Sequence, residues 1–193
     1  MKKILFFSSN INKVKEIKNI FKKNKLNILS LNDFANLKNP LENGKTFVEN
    51  AKIKSSYGFE KTKIPCFSDD SGICIEALKN GPGVHSKRYF NGFKNQKDCF
   101  KYILEQVNKS KNNNAFFFCS ICFTLDKNKH IIFNGKVGGT ISKMIRGERG
   151  FGYDPIFIPG GYSKTFAEIG MFEKNKISHR SIAINKLINF LIN

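Results

Sequence analysis

Long apolar runs are missing from these 193 residues. None approaches the roughly 20 residues that a membrane-spanning helix requires. The basic and apolar start, MKKILFF, leads straight into SSNINKVKE with no small-residue cleavage site. Its apolar portion is too short for the core of a signal peptide, so it reads as a first strand. Paired zinc-ribbon cysteines are missing as well. Cys119 and Cys122 form a C-x-x-C without a second pair, and on a strand residues three apart face opposite sides, which leaves one metal unable to reach both. The remaining cysteines, Cys66, Cys74 and Cys99, make an odd total of 5, and all sit among apolar neighbours. That is the usage of reduced core thiols in a cytoplasmic protein. There is no internal repeat, no recognised RNA- or DNA-binding motif and no linker long enough to separate a pair of domains, so residues 1–193 read as one domain.

Acidic residues are scarce too: 15 Asp and Glu stand against 33 Lys and Arg, a formal charge of +18. A field of that sign concentrates anions such as nucleotides, nucleic acids or acidic membrane surfaces without choosing among them. The lysines are spread along the chain beside abundant Asn, Ile and Phe, and compositional drift accounts for the larger share of the excess. With 40% hydrophobic residues the chain can bury a sizeable core.

In chain order, KILFFS (3–8) predicts a strand, and SSNINK leads into an amphipathic helix with Ile11, Val14, Ile17 and Phe21 on one face and Asn10 or Asn12 as cap. Such a strand-to-helix turn offers backbone N–H groups to phosphate oxygens, with Lys13 beside them. An ordinary capped helix with a solvated basic face explains the same residues. LNILSL (26–31) predicts a second strand, followed by a polar connection over residues 32–45. A helix from Thr46 to Phe59 carries Phe47, Val48, Ala51 and Ser55 inward. Glu42, before the Asn43-Gly44 turn, is a possible metal ligand or a solvated loop acid. IPCFSDDSGICIEAL reads as a strand that ends in a turn at Ser68-Asp69-Asp70-Ser71-Gly72 and then a second strand. Adjacent carboxylates repel unless a cation offsets them, and a strand end beside a glycine turn is a common place for an oxygen-lined Mg²⁺ site. The same five residues also make an unremarkable turn.

GPGVHSKRYF (81–90) is a turn whose Lys87 and Arg88 either line an anion site or face solvent, with His85 at the surface or in packing. Residues 95–108 predict a helix with Phe100, Ile103, Leu104 and Val107 inward. The apolar stretches 115–125 and 130–145 predict a long hairpin in the middle of the sheet. A short strand is expected at Phe157, a helical turn over Thr165–Ile169, and a final helix capped by Ser178 with Ile182, Ala183, Leu187, Phe190 and Leu191 buried. The stretch from Gly150 to Arg180, with its GFGYDP turn, Lys174 and the Ser178-His179-Arg180 triplet, holds more polar chemistry than a core segment needs. Lysines and a helix start suit phosphates, acids suit Mg²⁺, and aromatics with donors suit a base, so the inventory is that of a nucleotide site.

SSNINKVKEI, TFVENAKIKS, SDDSGICIEAL, GPGVHSKRY, GFGYDPIFIP and EKNKISHR occur in the order and near the spacing seen in the inosine/xanthosine triphosphate pyrophosphatases, which the chain resembles over nearly its whole length. GFGYDP followed by K-x-x-x-x-H-R is the most specific signature. The resemblance implies an α/β fold with a long, mixed, twisted sheet and flanking helices forming two lobes around a central cleft. It also implies a homodimer and Mg²⁺-dependent cleavage of ITP, dITP or XTP to the monophosphate and pyrophosphate. Carried over by position, Ser8, Ser9, Asn10, Ile11, Asn12 and Lys13 resemble the phosphate-binding entry. Asp70 matches the catalytic, Mg²⁺-linked aspartate, and Ser71 a substrate contact. Phe151, Gly152, Tyr153 and Asp154 resemble the nucleoside loop, while Lys174, His179 and Arg180 match residues around the base. Lys54 is a weaker phosphate candidate.

The chain departs from that pattern in three places. Leu41 stands where the family often has an acid, leaving Glu42 as the second metal-ligand candidate. Ser8-Ser9 replaces a commoner Thr-Gly, and Arg149 replaces a smaller or neutral residue. Phosphoryl-transfer logic then has water attack the α-phosphorus in line, with Asp70 as metal ligand or base and Asp69 able to share the second role. Donors aimed at O6 of hypoxanthine or xanthine would meet the amino group of adenine donor to donor. Two other readings remain: a basic nucleic-acid-binding module, which the scattered lysines disfavour, and a pyrophosphatase for other modified nucleotides. No membrane partner is expected, and nucleic acid is not the expected partner.

Overall fold

The computed structural model describes residues 3–34 and 37–193. Residues 1–2 of the N-terminal run and 35–36 of the polar connection lie outside the described residues. The elements in chain order are β1 (Leu5–Phe6), α1 (Ile11–Lys23), β2 (Leu29–Ser30), α2 (Phe47–Thr62), β3 (Cys66–Ile75), β4 (Gly81–Pro82), α3 (Ser86–Asn91), α4 (Gln96–Ser110), β5 (Asn114–Thr124), β6 (His130–Ile141), β7 (Phe157–Pro159), α5 (Phe166–Ile177) and α6 (His179–Ile192). The strands form a mixed sheet in the order β2-β1-β3-β5-β6-β7, with β4 beside β3. β1 runs parallel to β2 and β3, while β4 and β7 are antiparallel to β3 and β6. The α/β class with a long mixed sheet and flanking helices is as expected. The chain divides into two compact units, one of Met1–Asp70, Cys119–Gly135 and Arg180–Asn193, the other of Ser71–Phe118 and Lys136–His179. No helix among the described residues is long and apolar enough to cross a membrane.

In the first unit, successive residues of the N-terminal run serve opposite faces, as strand geometry requires. Phe6 joins Ile17, Ile20 and Phe21 of α1, Phe67, and Ala183, Ile184, Leu187 and Ile188 of α6. Leu5 and Phe7 turn the other way, onto Cys66 and the α2 residues Tyr57 and Phe59. A strand covered on both faces needs no polar alternation, which is why its sequence is apolar throughout. Two inward assignments change. Ile11 is 65% exposed, because at 100° per residue it sits about 120° around the helix from Ile17, and Ile20 takes its place in the core. Phe190, expected to be buried, meets Phe123 and Phe133 at one edge and is 43% exposed in the last turn of α6.

β3 departs most from expectation. It runs unbroken through Ser68-Asp69-Asp70-Ser71-Gly72, so the acids lie in mid-strand and not at a strand end beside a turn. With β1 and β5 on its two sides, ladder hydrogen bonding outweighs the local turn preference of D-D-S-G.

In the second unit, Cys99, Phe100, Ile103 and Val107 of α4 pack with Ile73, Ile75, Phe117, Phe157 and Phe166. Gly72 serves close packing there: a Cβ would lie 2.2 Å from the Gly83 carbonyl oxygen and 2.4 Å from Ser86 Oγ. β6 stops at Ile141, short of the expected residue 145; the backbone N–H of Ser142 donates to the Ile156 carbonyl and its hydroxyl to that of Met144. The helical turn expected at 165–169 continues to Ile177, interrupted at Gly170, whose φ of 76° and ψ of 169° no ordinary helix contains. Ser178 is the extended residue closing α5, its N–H donating to the Lys174 carbonyl 2.8 Å away.

Candidate active site

The first unit holds a buried chain of alternating charge. Asn10 caps α1, its Oδ1 accepting from the N–H groups of Asn12 at 3.0 Å and Lys13 at 3.2 Å. One turn on, Lys13 Nζ lies 2.9 Å from Asp69 Oδ2. The same oxygen accepts from Arg180 Nε at 3.2 Å, and Arg180 Nη1 donates to Glu16 Oε2 at 2.7 Å. Burial pushes the Asp69 carboxyl up, but Lys13, Arg180 and Lys54 together outweigh it and hold the group well below the ordinary carboxylate range. Burial would likewise lower the Arg180 guanidinium, and Glu16 and Asp69 outweigh it, so the cation is fixed.

Asp70, on the opposite face of β3 by strand alternation, meets a different set of partners. Asn50 Nδ2 donates to Oδ2 at 3.1 Å, while Lys54 Nζ stands 3.7 Å from Oδ1 and 2.7 Å from Glu42 Oε2. Asn50 and Lys54, four residues apart on α2, share one face of the helix. Burial raises the proton affinity of Asp70, prevailing over the nearby Lys54 and Lys13. Lys54 is stabilised as a cation, since Asp70, Asp69 and Glu42 outweigh its burial. Two neighbouring carboxylates are thus driven in opposite directions by their surroundings. Among the described residues no group of three or more His, Cys, Asp and Glu side chains is placed to hold a metal; Glu42 and Asp70 share the Lys54 ammonium.

Ser8 Oγ accepts from the Asn10 N–H at 3.2 Å and Ser9 Oγ from Asn39 Nδ2 at 2.9 Å. Asn12 is exposed, as is Ile11.

In the second unit the GFGYD turn is organised around Asp154. Its Oδ2 accepts from the Phe151 N–H at 2.9 Å and from Lys174 Nζ at 2.6 Å, with both side chains of the ion pair buried. Gly150 has φ of +81°, and a Cβ there would fall 2.1 Å from Asp154 Oδ2, so the turn requires glycine. Gly152, with φ of +61°, has open space around it. Lys174 Nζ lies 4.4 Å from the centre of the half-buried Phe151 ring, a cation–π contact. Tyr153 packs against Phe90 and Phe100, and its hydroxyl donates to the Ser86 carbonyl at 2.7 Å. The His179 ring lies parallel to Phe117 at 4.7 Å. Ser71 is half-buried, and Lys87 and Arg88 face solvent.

Lys174, His179 and the aromatic turn therefore share a unit, whereas Arg180 is bonded within the other, to Glu16 and Asp69. Two site residues escaped sequence reasoning. Glu16 could have been found, since an acid beside Ile17 and Ile20 on the inward stripe of α1 must have a buried partner. Asn50 could have been found as a polar residue next to Ala51 on the inward face of α2.

Residues 4–190 match the Ham1 family. The chain is 36% identical over 192 residues to the dITP/XTP pyrophosphatase of Porphyromonas gingivalis, covering 100% of this chain and 98% of that one. It is 40% identical over 186 residues to the dITP/XTP pyrophosphatase of Leptospira interrogans, covering 95% and 94%. The solved structure of a HAM1 protein from Coxiella burnetii is similar with a TM-score of 0.88 at 35% identity, covering 100% of this chain and 99% of that one.

Proposed function

This chain belongs to the Ham1 family, and from that premise we propose that it hydrolyses the non-canonical purine nucleoside triphosphates dITP, ITP and XTP to the monophosphate and pyrophosphate. The observation that carries the proposal is near full-length similarity, at 36% and 40% identity, to proteins named dITP/XTP pyrophosphatase. The geometry supplies a division of labour consistent with it.

Lys13, anchored by Asp69, and the start of α1 bind the phosphates. Asp69 is too weak a base to take a proton and acts as the fixed anion that aims Lys13 and Arg180. Arg180 therefore belongs with the phosphate-handling group. Asp70, oriented by Asn50 and set beside Lys54 and Glu42, is the carboxylate of the pair suited to the reacting centre. Water adds to the α-phosphorus, the bond from that phosphorus to the bridging oxygen breaks, pyrophosphate leaves, and the proton lost by the water passes to solvent by way of the Asp70 centre.

The residues present fit Mg²⁺. Glu42 and Asp70 are hard oxygen donors already gathered on the Lys54 ammonium, and Mg²⁺ commonly takes one or two carboxylates together with substrate phosphates. Held by Asp70 and Glu42, it would neutralise phosphate charge and polarise the phosphoryl oxygens.

Phe151, Lys174 and His179 read the base. The Lys174 ammonium has three donors, one of which goes to Asp154. A donor kept for an O6 acceptor is left unpaired by adenine, whose amino group stands there instead, and an unpaired buried donor makes rejection strong. The reading extends to a homodimer in the cytoplasm, in keeping with the family resemblance and with five free, buried cysteines.

Pyrophosphate release from dITP, ITP, XTP, ATP and GTP, with Mg²⁺ and with chelator, tests the proposal, alongside Asp70→Asn. Fast turnover of the first three with Mg²⁺ only, and its loss in Asp70→Asn, is expected. Equal turnover of ATP and ITP removes the specificity, activity in chelator removes the metal, and an active Asp70→Asn removes the catalytic assignment. A monomer mass by light scattering removes the dimer.

A further inference from the structure

Asn50 is almost fully buried, and both ends of its amide are used across the site. Nδ2 donates to Asp70 Oδ2 at 3.1 Å, and Oδ1 accepts the backbone N–H of Gly44 at 2.8 Å. Gly44 lies two residues from Glu42, in the loop that reaches α2 at its Thr46 cap. That approach is tight: a Cβ on Gly44 would fall 2.7 Å from Asn50 Oδ1. One turn further along α2, Lys54 Nζ contacts Glu42 Oε2 at 2.7 Å and stands 3.7 Å from Asp70 Oδ1. A single face of α2 thus holds the Glu42 loop twice, by its backbone and by its carboxylate, and binds Asp70 through Oδ2 with Lys54 standing off Oδ1.

The two contacts with Asp70 differ in kind. The amide bond to Oδ2 is a hydrogen bond, whereas 3.7 Å from an ammonium to Oδ1 lies beyond hydrogen-bond reach. The carboxylate is therefore oriented through Oδ2, with Oδ1 as the oxygen presented. A neutral amide is suited to this task because it orients a carboxylate without cancelling its charge. It also offers a donor and an acceptor at once, which no carboxylate, hydroxyl or aliphatic side chain of that length supplies in the same arrangement.

We infer that Asn50 is a positioning residue for the metal-ligand pair, acting through Asp70 Oδ2 and the Gly44 backbone to set Asp70 Oδ1 and the Glu42 carboxylate in register. The inference rests on the reading of Asp70 and Glu42 as Mg²⁺ ligands. Partners of metal ligands typically change affinity or activity by about 10–100-fold when removed.

The experiment compares Asn50→Ala, Asn50→Asp and Asp70→Asn with the parent protein. Mn²⁺ alone is titrated into each in an electron paramagnetic resonance measurement of free metal, and kcat and KM for dITP are measured at saturating Mg²⁺. Asn50→Asp keeps the acceptor for Gly44 and replaces the donor to Asp70 by a carboxylate that repels it, so it holds the loop while breaking the Asp70 contact; its melting point is recorded to show the fold is kept.

We expect Asn50→Ala to weaken Mn²⁺ binding by about 10-fold or more. Both Asn50 variants should lower kcat by about 10–100-fold while KM for dITP stays within about threefold. A folded Asn50→Asp with parental kcat overturns the inference, even where Asn50→Ala fails to fold. So does a fall confined to KM. An Asp70→Asn variant that keeps both Mn²⁺ binding and turnover refutes the underlying reading of Asp70. An inactive Asp70→Asn beside a parental Asn50→Asp refutes the role of Asn50 alone.

Discussion

Removing the Glu16 carboxylate by Glu16→Ala puts the buried charge chain to a direct test. Lys13, Asp69, Arg180 and Glu16 balance two cations with two anions, linked at 2.9, 3.2 and 2.7 Å, and the Glu16, Asp69 and Arg180 side chains are essentially excluded from water. Deleting Glu16 leaves Arg180 sharing one anion with Lys13, a net positive charge in the core. Breaking a buried pair from one side costs about 3–5 kcal/mol, mostly because the stranded charge has lost its solvation. For a chain of this length each kcal/mol moves the melting midpoint by about 2–4 °C, so calorimetry should record a drop of about 6–20 °C. Glu16→Gln, which keeps an acceptor for Arg180 without the charge, should fall between the parent and Glu16→Ala. The double variant Glu16→Met with Arg180→Met, neutral again, should be more stable than Glu16→Met alone. A Glu16→Ala protein destabilised by less than about 1 kcal/mol, the range of exposed pairs, would refute the argument that these four charges hold one another in place.

Gly72→Ala should destabilise by about 1–3 kcal/mol or more, the usual cost of overpacking, because its Cβ would meet the Gly83 carbonyl and Ser86 Oγ at 2.2 and 2.4 Å. Gly138→Ala, with nothing within 4 Å, should stay within about 0.5 kcal/mol in the same urea titration, and equal effects at the two glycines would contradict the packing account. The five cysteines should be inert to a disulfide reagent at pH 8 in the native protein and all titrate in guanidinium. Each is buried, and burial pushes every thiol up, Cys99 to about 11. Rapid labelling of one equivalent under native conditions would show that a thiol is reachable.

Much of this molecule is legible in its residues because the signals are local. The 3.6-residue apolar period of α4 and the apolar runs of β5 and β6 place those elements within a few residues. Asn10 caps α1 as its chemistry suggests. What misled is equally local. Ser68 to Gly72 carries the composition of a turn, yet it is strand, since neighbours distant in sequence flank it on both sides. Gly72 signals a close approach by residues 83–86 and not a reversal of the chain. Ile11 has the spacing of a core residue but stands in the first turn, away from the stripe that Ile17 and Ile20 define. Tyr153 has the character of a ligand contact, and its hydroxyl is committed to the Ser86 carbonyl.

The stretch from Gly150 to Arg180 shows where the division falls. By itself the sequence determined the chemical inventory: an acid pair, a lysine at a helix start, an aromatic glycine turn, and Lys174, His179 and Arg180 at characteristic intervals. It also determined the family, because residue types in order are enough for that. Only the tertiary structure decided which charges meet. His179 and Arg180 are adjacent in the chain, yet one ring lies on Phe117 while the other side chain is bonded to Asp69 and Glu16. Asp69 and Asp70 are likewise adjacent, and strand alternation gives them different partners, so that one proton affinity is lowered and the other raised. Pairing, burial and proton affinity depend on groups brought together across 20 residues at Asp70 and more than a hundred at Arg180, and no local pattern encodes those distances.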